Sequence, residues 1–196
     1  MFKKIVLIPL AMVILLISFM SATLAASEKK SNPQKVYPSP EGYWLIKTKD
    51  DKHDRSVIRI SLVNGQLQAT FVALFYVEGR SWAPTCIDCL GKYKDQKLIG
   101  MRFMEGLSPK GKKIYWDAVW DHGKVFNADT NKIYIIKLQQ VDQGRRLKMV
   151  GCMQGIGVLC RTSYWTRITS KKQLNRYRAR GAKDLKTYPA THGKAN

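Results

Sequence analysis

The sequence predicts an all-β fold, an eight-stranded antiparallel up-and-down barrel, on the strength of three observations. Short apolar or alternating segments recur between residues 42 and 168, and turn residues separate them. Helical spacing of apolar residues is not sustained before residue 170. The dipeptide Asn64-Gly65 marks a two-residue hairpin, because both turn positions favour positive φ. Eight such strands can close around an interior that is filled by side chains or holds one small ligand.

The N-terminal segment is typical of an export signal. Two lysines precede a long uncharged run that ends in Ala, Ser and Thr. We therefore predict a signal peptide at residues 1–26, with a helical apolar part, cleaved after Ala25 or Ala26. A Pro-containing extended leader at 27–41 follows. An uncleaved membrane anchor is the alternative, because the run is long enough to cross a bilayer. The expected location is periplasmic or secreted.

The barrel domain is predicted at residues 42–168. Its strands are Tyr43–Thr48, Ser56–Val63, Gln66–Val77, Lys97–Glu105, Ile114–Trp120, Lys132–Val141, Arg146–Met153 and Val158–Ile168. A polar turn is expected at Gly106–Lys113. The third strand is predicted to place alternate residues on one side: Leu67, Ala69, Phe71, Ala73 and Phe75.

Large apolar side chains on the predicted inner faces are the candidate ligand-binding residues. They are Phe71, Met101, Phe103, Trp116, Trp120 and Tyr134. They would either fill the barrel, as in small barrels, or line a cavity for a small apolar or amphipathic ligand. Asp117 and Asp121 are expected to point outward from the fifth strand.

Four cysteines in an exported domain predict up to two disulfides, and four thiols allow three pairings. Cys152 and Cys160 flank a hairpin loop on neighbouring strands, so we favour their pairing and that of Cys86 with Cys89. The alternative for the second pair is a redox centre. Such centres usually place the reactive thiol at a helix N-terminus, and here the residues after Cys89 are typical of a loop.

The chain is strongly basic, with a formal net charge of +20. Such a surface attracts anionic membranes or envelope polymers, although charge also simply keeps a protein soluble. Residues 169–196 form a predicted basic tail, disordered or with one or two helical turns near 171–180. Its candidate anion-binding residues are Lys171, Lys172, Arg176, Arg178 and Arg180. No specific nucleic-acid binding is expected, because the tail offers few aromatic rings for stacking.

The sequence lacks the motifs of common catalytic and metal sites. His53, His122 and His192 are far apart, and no Gly-rich phosphate loop, Ser-centred elbow or metal-spaced His pair occurs. We therefore expect no catalytic residues, no metal and no cofactor, and a protein that is not an enzyme.

The strand ends resemble a known barrel pattern. Gly42-Tyr43-Trp44 and Trp165-Thr166-Arg167 resemble the calycin pattern, in which a Trp closes the barrel floor beneath an Arg of the last strand. Other stretches resemble the bacterial family called domain of unknown function 2147, described as lipocalin-like. They are Cys86-Ile87-Asp88-Cys89, Ile99-Gly100-Met101, Gly106-Leu107, Trp120 with Gly123-Lys124-Val125-Phe126, Lys132-Ile133-Tyr134 and the Leu147-to-Arg167 block. The resemblance implies a lipocalin-like, calycin-type barrel closed by Trp44, Trp165 and Arg167, and no established activity.

Three hypotheses of function follow. The first is an exported, non-catalytic lipocalin-like protein that binds a small apolar or amphipathic ligand. The second is a basic surface protein that holds an anionic envelope polymer or membrane through its tail. The third is a thiol-disulfide redox protein that uses Cys86 and Cys89. The oligomeric state is left open.

Overall fold

The computed structural model describes residues 39–77, 83–110, 118–153 and 159–187. The predicted signal peptide, most of the leader, Trp116, Asp117 and the end of the basic tail lie outside these ranges. Within them, no helix has both the length and the apolar character needed to span a membrane.

The described chain forms a closed antiparallel barrel in which each strand pairs with its sequence neighbours and the last pairs with the first. The strands are β1 (Gly42–Lys47), β2 (Asp54–Val63), β3 (Gln66–Leu74), β4 (Arg102–Pro109), β5 (Val119–Asn127), β6 (Lys132–Val141), β7 (Arg146–Met153) and β8 (Cys160–Ile168). Short 3₁₀ helices occupy Gly91–Tyr93 and Asp142–Gly144, and helix α1 (Lys171–Thr187) follows β8. The predicted all-β, eight-stranded barrel is confirmed.

The predicted β2–β3 hairpin is confirmed. Asn64 and Gly65 both have positive φ, at 50° and 76°, as a type I′ turn requires. Val63 pairs with Gln66 across the turn, and Leu62 with Leu67. The register set by this turn keeps Ile58 and Ile60 on the buried inner face.

The third strand does not keep one face along its whole length. A β-bulge between the Val57–Ala73 and Ile58–Phe71 pairs leaves Val72 as an extra residue. Beyond it Leu74 joins the barrel core, whereas Ala73 and Phe75 pack in a separate cluster beneath α1. The prediction of one common side for these residues is wrong, because an extra residue reverses the alternation.

Strands four and five lie later in the chain than predicted. The fourth begins at Arg102 and runs to Pro109, through the residues expected to form a turn from Gly106. The described fifth strand spans Val119–Asn127 and ends later than the predicted Ile114–Trp120, of which residues 114–117 lie outside the described ranges. A glycine at position 106 predicts a turn, but Gly106 lies within the strand at φ 80°, the conformation of a glycine bulge.

The basic tail begins with a docked helix rather than one or two helical turns. Ser170 caps α1, since its hydroxyl accepts the Gln173 backbone N–H at 3.4 Å. Leu174 is buried against the outer face of the barrel. At Gly181 an added Cβ would stand only 2.9 Å from the Cβ of Ala73, so glycine permits the close approach of helix and strand. Packing therefore stabilises a helix whose sequence is mostly polar.

The floor of the barrel is closed around one arginine. The Arg167 guanidinium lies 4.3 Å from the ring of Trp44, which is fully buried. It donates to the carbonyls of Ser39, Glu41 and Gly144 at 2.6, 2.7 and 2.7 Å. This end, where β1 begins and β8 ends, is the floor end, and the opposite end is the mouth end.

Candidate functional site: the mouth half of the barrel

The interior of the barrel is divided into a packed half and an accessible half. Inward residues of the floor half are at most 2% exposed: Trp44, Ile58, Ile60, Leu67, Ala69, Met104, Leu107, Trp120, Ile136, Leu138, Gln140, Leu147 and Trp165. Six inward residues nearer the mouth end are only half-buried: Ile46, Phe71, Val125, Tyr134, Met149 and Ser163. At the same end Thr48, Ser56 and Leu74 are buried, so only part of the inner wall is accessible there. Solvent therefore reaches the inner wall from the mouth end but not the floor.

Strand register identifies the wall of the accessible half. Tyr134 lies opposite Val125 on one side and Met153 on the other. Met149 lies opposite Ser163, one inward step above the buried Leu147–Trp165 pair. The wall is thus mainly apolar, and Ser163 supplies a polar group near its base.

The ligand-binding residues proposed from sequence separate into different environments. Phe71 and Tyr134 lie on the accessible wall, and Phe103 stacks on Phe71 with ring centroids 4.0 Å apart. Trp120 belongs to the packed floor half, and Met101 is buried just before β4. Trp116 lies outside the described residues.

Sequence reasoning missed four of the wall residues: Ile46, Val125, Met149 and Ser163. A signal was present for two of them. If Cys152 and Cys160 are directly opposite, Met149 and Ser163 must also be opposite and on the other face of the hairpin. Val125 could not be found, because the fifth strand was placed too early in the chain.

A disulfide-closed segment lies between β3 and β4 at the mouth end. Cys86 and Cys89 are bonded, with Cα atoms 5.3 Å apart, and both residues are buried. Tyr93 stacks on Phe126 of β5 with centroids 3.9 Å apart. Asn131 fixes the segment further: it accepts the Leu90 backbone N–H at 3.1 Å and donates to the Asp88 carbonyl at 3.0 Å.

An ion pair joins two distant parts of the mouth end. Arg55 is the extra residue of a bulge in β2, where Ser56 pairs with Ile46 and Asp54 with Lys47. Its guanidinium bonds the carboxylate of Asp129 in the turn between β5 and β6. The β2 bulge and the β5–β6 turn belong to strands that are not neighbours in the barrel, so the ion pair connects one side of the rim to another.

The second predicted disulfide is also present. Cys152 and Cys160 are directly paired residues of β7 and β8, and their Cα atoms are 4.0 Å apart. Both predicted pairings are therefore confirmed. The bridge joins the two strands that carry Met149, Ser163 and Arg161, and so fixes that part of the rim.

A bulge in β5 gives Asp121 a setting that the sequence did not indicate. Two residues, Asp121 and His122, lie opposite the single residue Lys137 between the Trp120–Leu138 and Gly123–Ile136 pairs, and His122 has φ 63°. The Asp121 side chain is only 9% exposed and lies 3.2 Å from the Lys137 ammonium. Burial opposes its ionisation, but the His122 backbone N–H and Lys137 outweigh it, so the pKa of Asp121 lies below its ordinary value. The Asp121 carboxylate pairs with an exposed lysine, as its predicted outward position implies, but the carboxylate itself is buried.

The basic residues of α1 lie on its exposed face. Lys171, Lys172, Arg176 and Arg178 are exposed, as is Arg180, which pairs with Asp54 at 3.0 Å. Among the described helix residues the single acid, Asp184, accepts the Tyr76 backbone N–H at 3.2 Å. The helix therefore presents these cations on the outside of the barrel. No cluster of three metal-ligating side chains occurs among the described residues.

Comparison with known proteins agrees with this architecture. The model of the family "Uncharacterized protein conserved in bacteria (DUF2147)" matches residues 42–167. A solved structure, described as protein HP1028 from Helicobacter pylori and as belonging to the lipocalin family, has a similar fold with a TM-score of 0.56. The two are 19% identical, over 75% of this chain and 98% of that one, so the likeness shows the fold alone. No curated protein matches the chain.

Proposed function

Because the chain belongs to the DUF2147 family and folds as a lipocalin-like barrel, we propose that it binds a small amphipathic ligand in the mouth half of that barrel. The observation that carries the proposal is the half-burial of six inward residues near the mouth end, above a floor half whose inward residues are at most 2% exposed. A barrel filled only for stability would be packed along its whole length. An apolar wall with few polar groups, open at one end, is the usual form of a small-molecule site.

The proposal can be tested by blocking the accessible half. Met149→Trp adds a bulky ring to the inner wall, whereas Thr162→Trp adds the same ring to the outer face of the neighbouring strand, where Thr162 is exposed. A fluorescent apolar probe should bind the wild type and Thr162→Trp alike. In Met149→Trp the added ring occupies apolar surface that the probe would contact, so the probe should bind this variant about tenfold or more weakly.

Native mass spectrometry of gently purified protein provides an independent measurement. A retained small molecule, absent from Met149→Trp, would support the proposal. Saturable probe binding that is equal in the two tryptophan variants, or absent from the wild type, would contradict it. Circular dichroism of each variant checks that the barrel is folded.

We also propose that the domain acts outside the cytoplasm. Two disulfides in one small domain favour an oxidising compartment, since cytosolic thiols are kept reduced. The N-terminal sequence supports the same location. The intact mass of the protein recovered from the periplasm or medium should correspond to cleavage after Ala25 or Ala26. An intact mass that retains residues 1–26 would favour the membrane-anchor alternative.

The basic face of α1 favours a second function, attachment to an anionic membrane or envelope polymer. The docked helix fixes the positions of these cations, and each near-surface cation contributes about 1 kcal/mol of attraction to an anionic leaflet. The triple variant Lys171→Gln, Lys172→Gln, Arg176→Gln should therefore reduce binding to anionic vesicles by on the order of a hundredfold at low salt.

A matched control separates this site from overall charge. Neutralising three exposed lysines elsewhere, Lys94, Lys97 and Lys124, removes the same charge from the chain. Vesicle sedimentation should show a much smaller loss for the control. Equal losses would indicate that net charge alone attracts the surface, and the helix would then have no special role.

Burial favours a structural role for the Cys86–Cys89 disulfide. Reactive cysteines are usually partly exposed in electropositive surroundings, whereas these two residues are 5% and 4% exposed. The segment that follows them contains a three-residue 3₁₀ helix at Gly91–Tyr93, not an α-helix. The bridge holds the segment at the mouth end in place.

A further inference from the structure

The inner wall near the mouth end contains a hydroxyl group without a partner. The Oγ of Ser163 is buried and makes no hydrogen bond in the structure. Leaving such a group unpaired costs about 1–3 kcal/mol, and buried orphans of this kind are uncommon in native proteins. Its neighbours along and across the strands are Trp165, which is buried, and Met149, which is half-buried. The hydroxyl therefore lies where the packed half ends and the accessible half begins.

A cation lies on the same inner row, two residues nearer the rim. Strand alternation places Arg161, Ser163 and Trp165 on one face of β8, and Trp165 belongs to the barrel core. Arg161 is exposed and is directly opposite Gly151. Among the described residues no carboxylate forms an ion pair with Arg161.

Two acids of the mouth end are already bonded to other residues. Asp129 bonds Arg55 across the mouth end, and Asp50 accepts the Thr48 hydroxyl. The Thr48 contact holds the pKa of Asp50 below its ordinary value, so it remains ionised and bonded within its own turn. Arg161, which is exposed at the rim of β8, is therefore available to bind an anionic group that enters from solvent.

We infer that the ligand of this barrel is a single-chain anionic amphiphile, such as a long-chain carboxylate, whose headgroup is held by Arg161 and Ser163. The inference rests on the proposed function and specifies it. The aliphatic chain lies against the apolar wall of Ile46, Phe71, Val125, Tyr134 and Met149. The guanidinium and the hydroxyl both donate to an anion, and charge-assisted bonds are stronger than those to a neutral alcohol.

The test compares two fluorescent probes with the same polyene chain, one ending in a carboxylate and one in an alcohol, on the full mature chain. The wild type should bind the carboxylate about tenfold or more tightly than the alcohol. Arg161→Gln should abolish that preference and leave alcohol binding unchanged. Arg59→Gln is the control, because Arg59 is exposed on the outer face of β2 and the variant has the same net charge.

Ser163→Ala adds a readout that a purely structural serine would not give. Removing an unpaired hydroxyl should leave the thermal midpoint of the free protein unchanged or higher, yet weaken carboxylate binding several-fold. A lower midpoint with unchanged binding would overturn the assignment of Ser163.

The other outcomes are also decisive. Equal binding of the two probes, or equal effects of Arg161→Gln and Arg59→Gln, would overturn the headgroup site while leaving the cavity proposal intact. Butyrate that competes as well as a long-chain acid would show an anion site without a chain site. Failure of either probe to bind the wild type would overturn the proposed function itself.

Discussion

Removal of Arg167 should cost the barrel a large part of its stability. Besides its three backbone acceptors and the Trp44 ring, its guanidinium donates to the Gln140 side chain at 2.6 Å. Gln140 is 1% exposed, and Gly144 is also buried. Both acceptors would lose a charged donor in Arg167→Ala. At the carbonyls of Ser39 and Glu41, water can take the place of the guanidinium.

The magnitude follows from those contacts. Two buried acceptors at about 1.5 kcal/mol each and a cation–π contact of about 1 kcal/mol give a loss of about 4 kcal/mol. That is a large fraction of the 5–15 kcal/mol that typically stabilises a domain. Arg167→Lys should lose about 2–3 kcal/mol, since an ammonium keeps the charge but cannot bond in the planar fork of a guanidinium.

The assay is urea unfolding of the oxidised protein, followed by tryptophan fluorescence. Arg146→Ala is the matched control: Arg146 also lies over an aromatic ring, 4.5 Å from that of Tyr164, and contacts an acceptor, Asp142 at 3.5 Å, but it is exposed. Its loss should cost less than about 1 kcal/mol. The reasoning would be refuted if Arg167→Ala and Arg146→Ala were equally stable.

Three further changes test other parts of the fold by the same unfolding measurement. Gly123→Ala places a Cβ 2.2 Å from the Leu107 side chain and should cost about 1–3 kcal/mol, so wild-type stability would contradict the packing described. Asp121→Asn should cost about 1–2 kcal/mol at neutral pH. The pKa of Asp121 is lower in the folded than in the unfolded protein, so this contribution is present above the unfolded pKa and is lost as the pH falls through the folded pKa. The stabilities of the wild type and Asp121→Asn should therefore become equal in acid. A constant difference would exclude this account. Replacing Cys152 and Cys160 by Ser opens a loop of sequence separation 8 and should cost about 2.5 kcal/mol, and reductant should then have little further effect on the variant.

Local patterns in the sequence predicted the fold well where the strands were regular. Ile58 and Ile60 alternate with Arg59, and the adjoining Asn64-Gly65 turn fixes the register of β2 and β3. The cysteine spacing gave Cys152 with Cys160 because paired strands set that distance. In each case the information lies within a few residues.

Bulges explain most of what the sequence did not predict. Val72 is one extra residue in β3, and the Asp121-His122 bulge adds one residue to β5; each bulge changes which face the next side chain takes. Alternation of apolar residues cannot show a bulge when both faces are covered, and Phe75 is buried beneath a helix rather than in the barrel. The helix itself was underestimated because its stability comes from contacts such as Leu174 and not from its composition.

The division of the interior explains how one small barrel can both be stable and keep an accessible wall. Burial of the large side chains at the floor end, from Trp44 to Trp165, provides the hydrophobic contribution to folding. The disulfide between β7 and β8, the ion pair of Arg55 with Asp129 and the segment closed by Cys86 and Cys89 link different parts of the mouth end. These links hold the strands together at the end where part of the inner wall is only half-buried. In the proposed function, a wall held in this way is preformed, so a ligand that binds there loses little binding energy to ordering the protein.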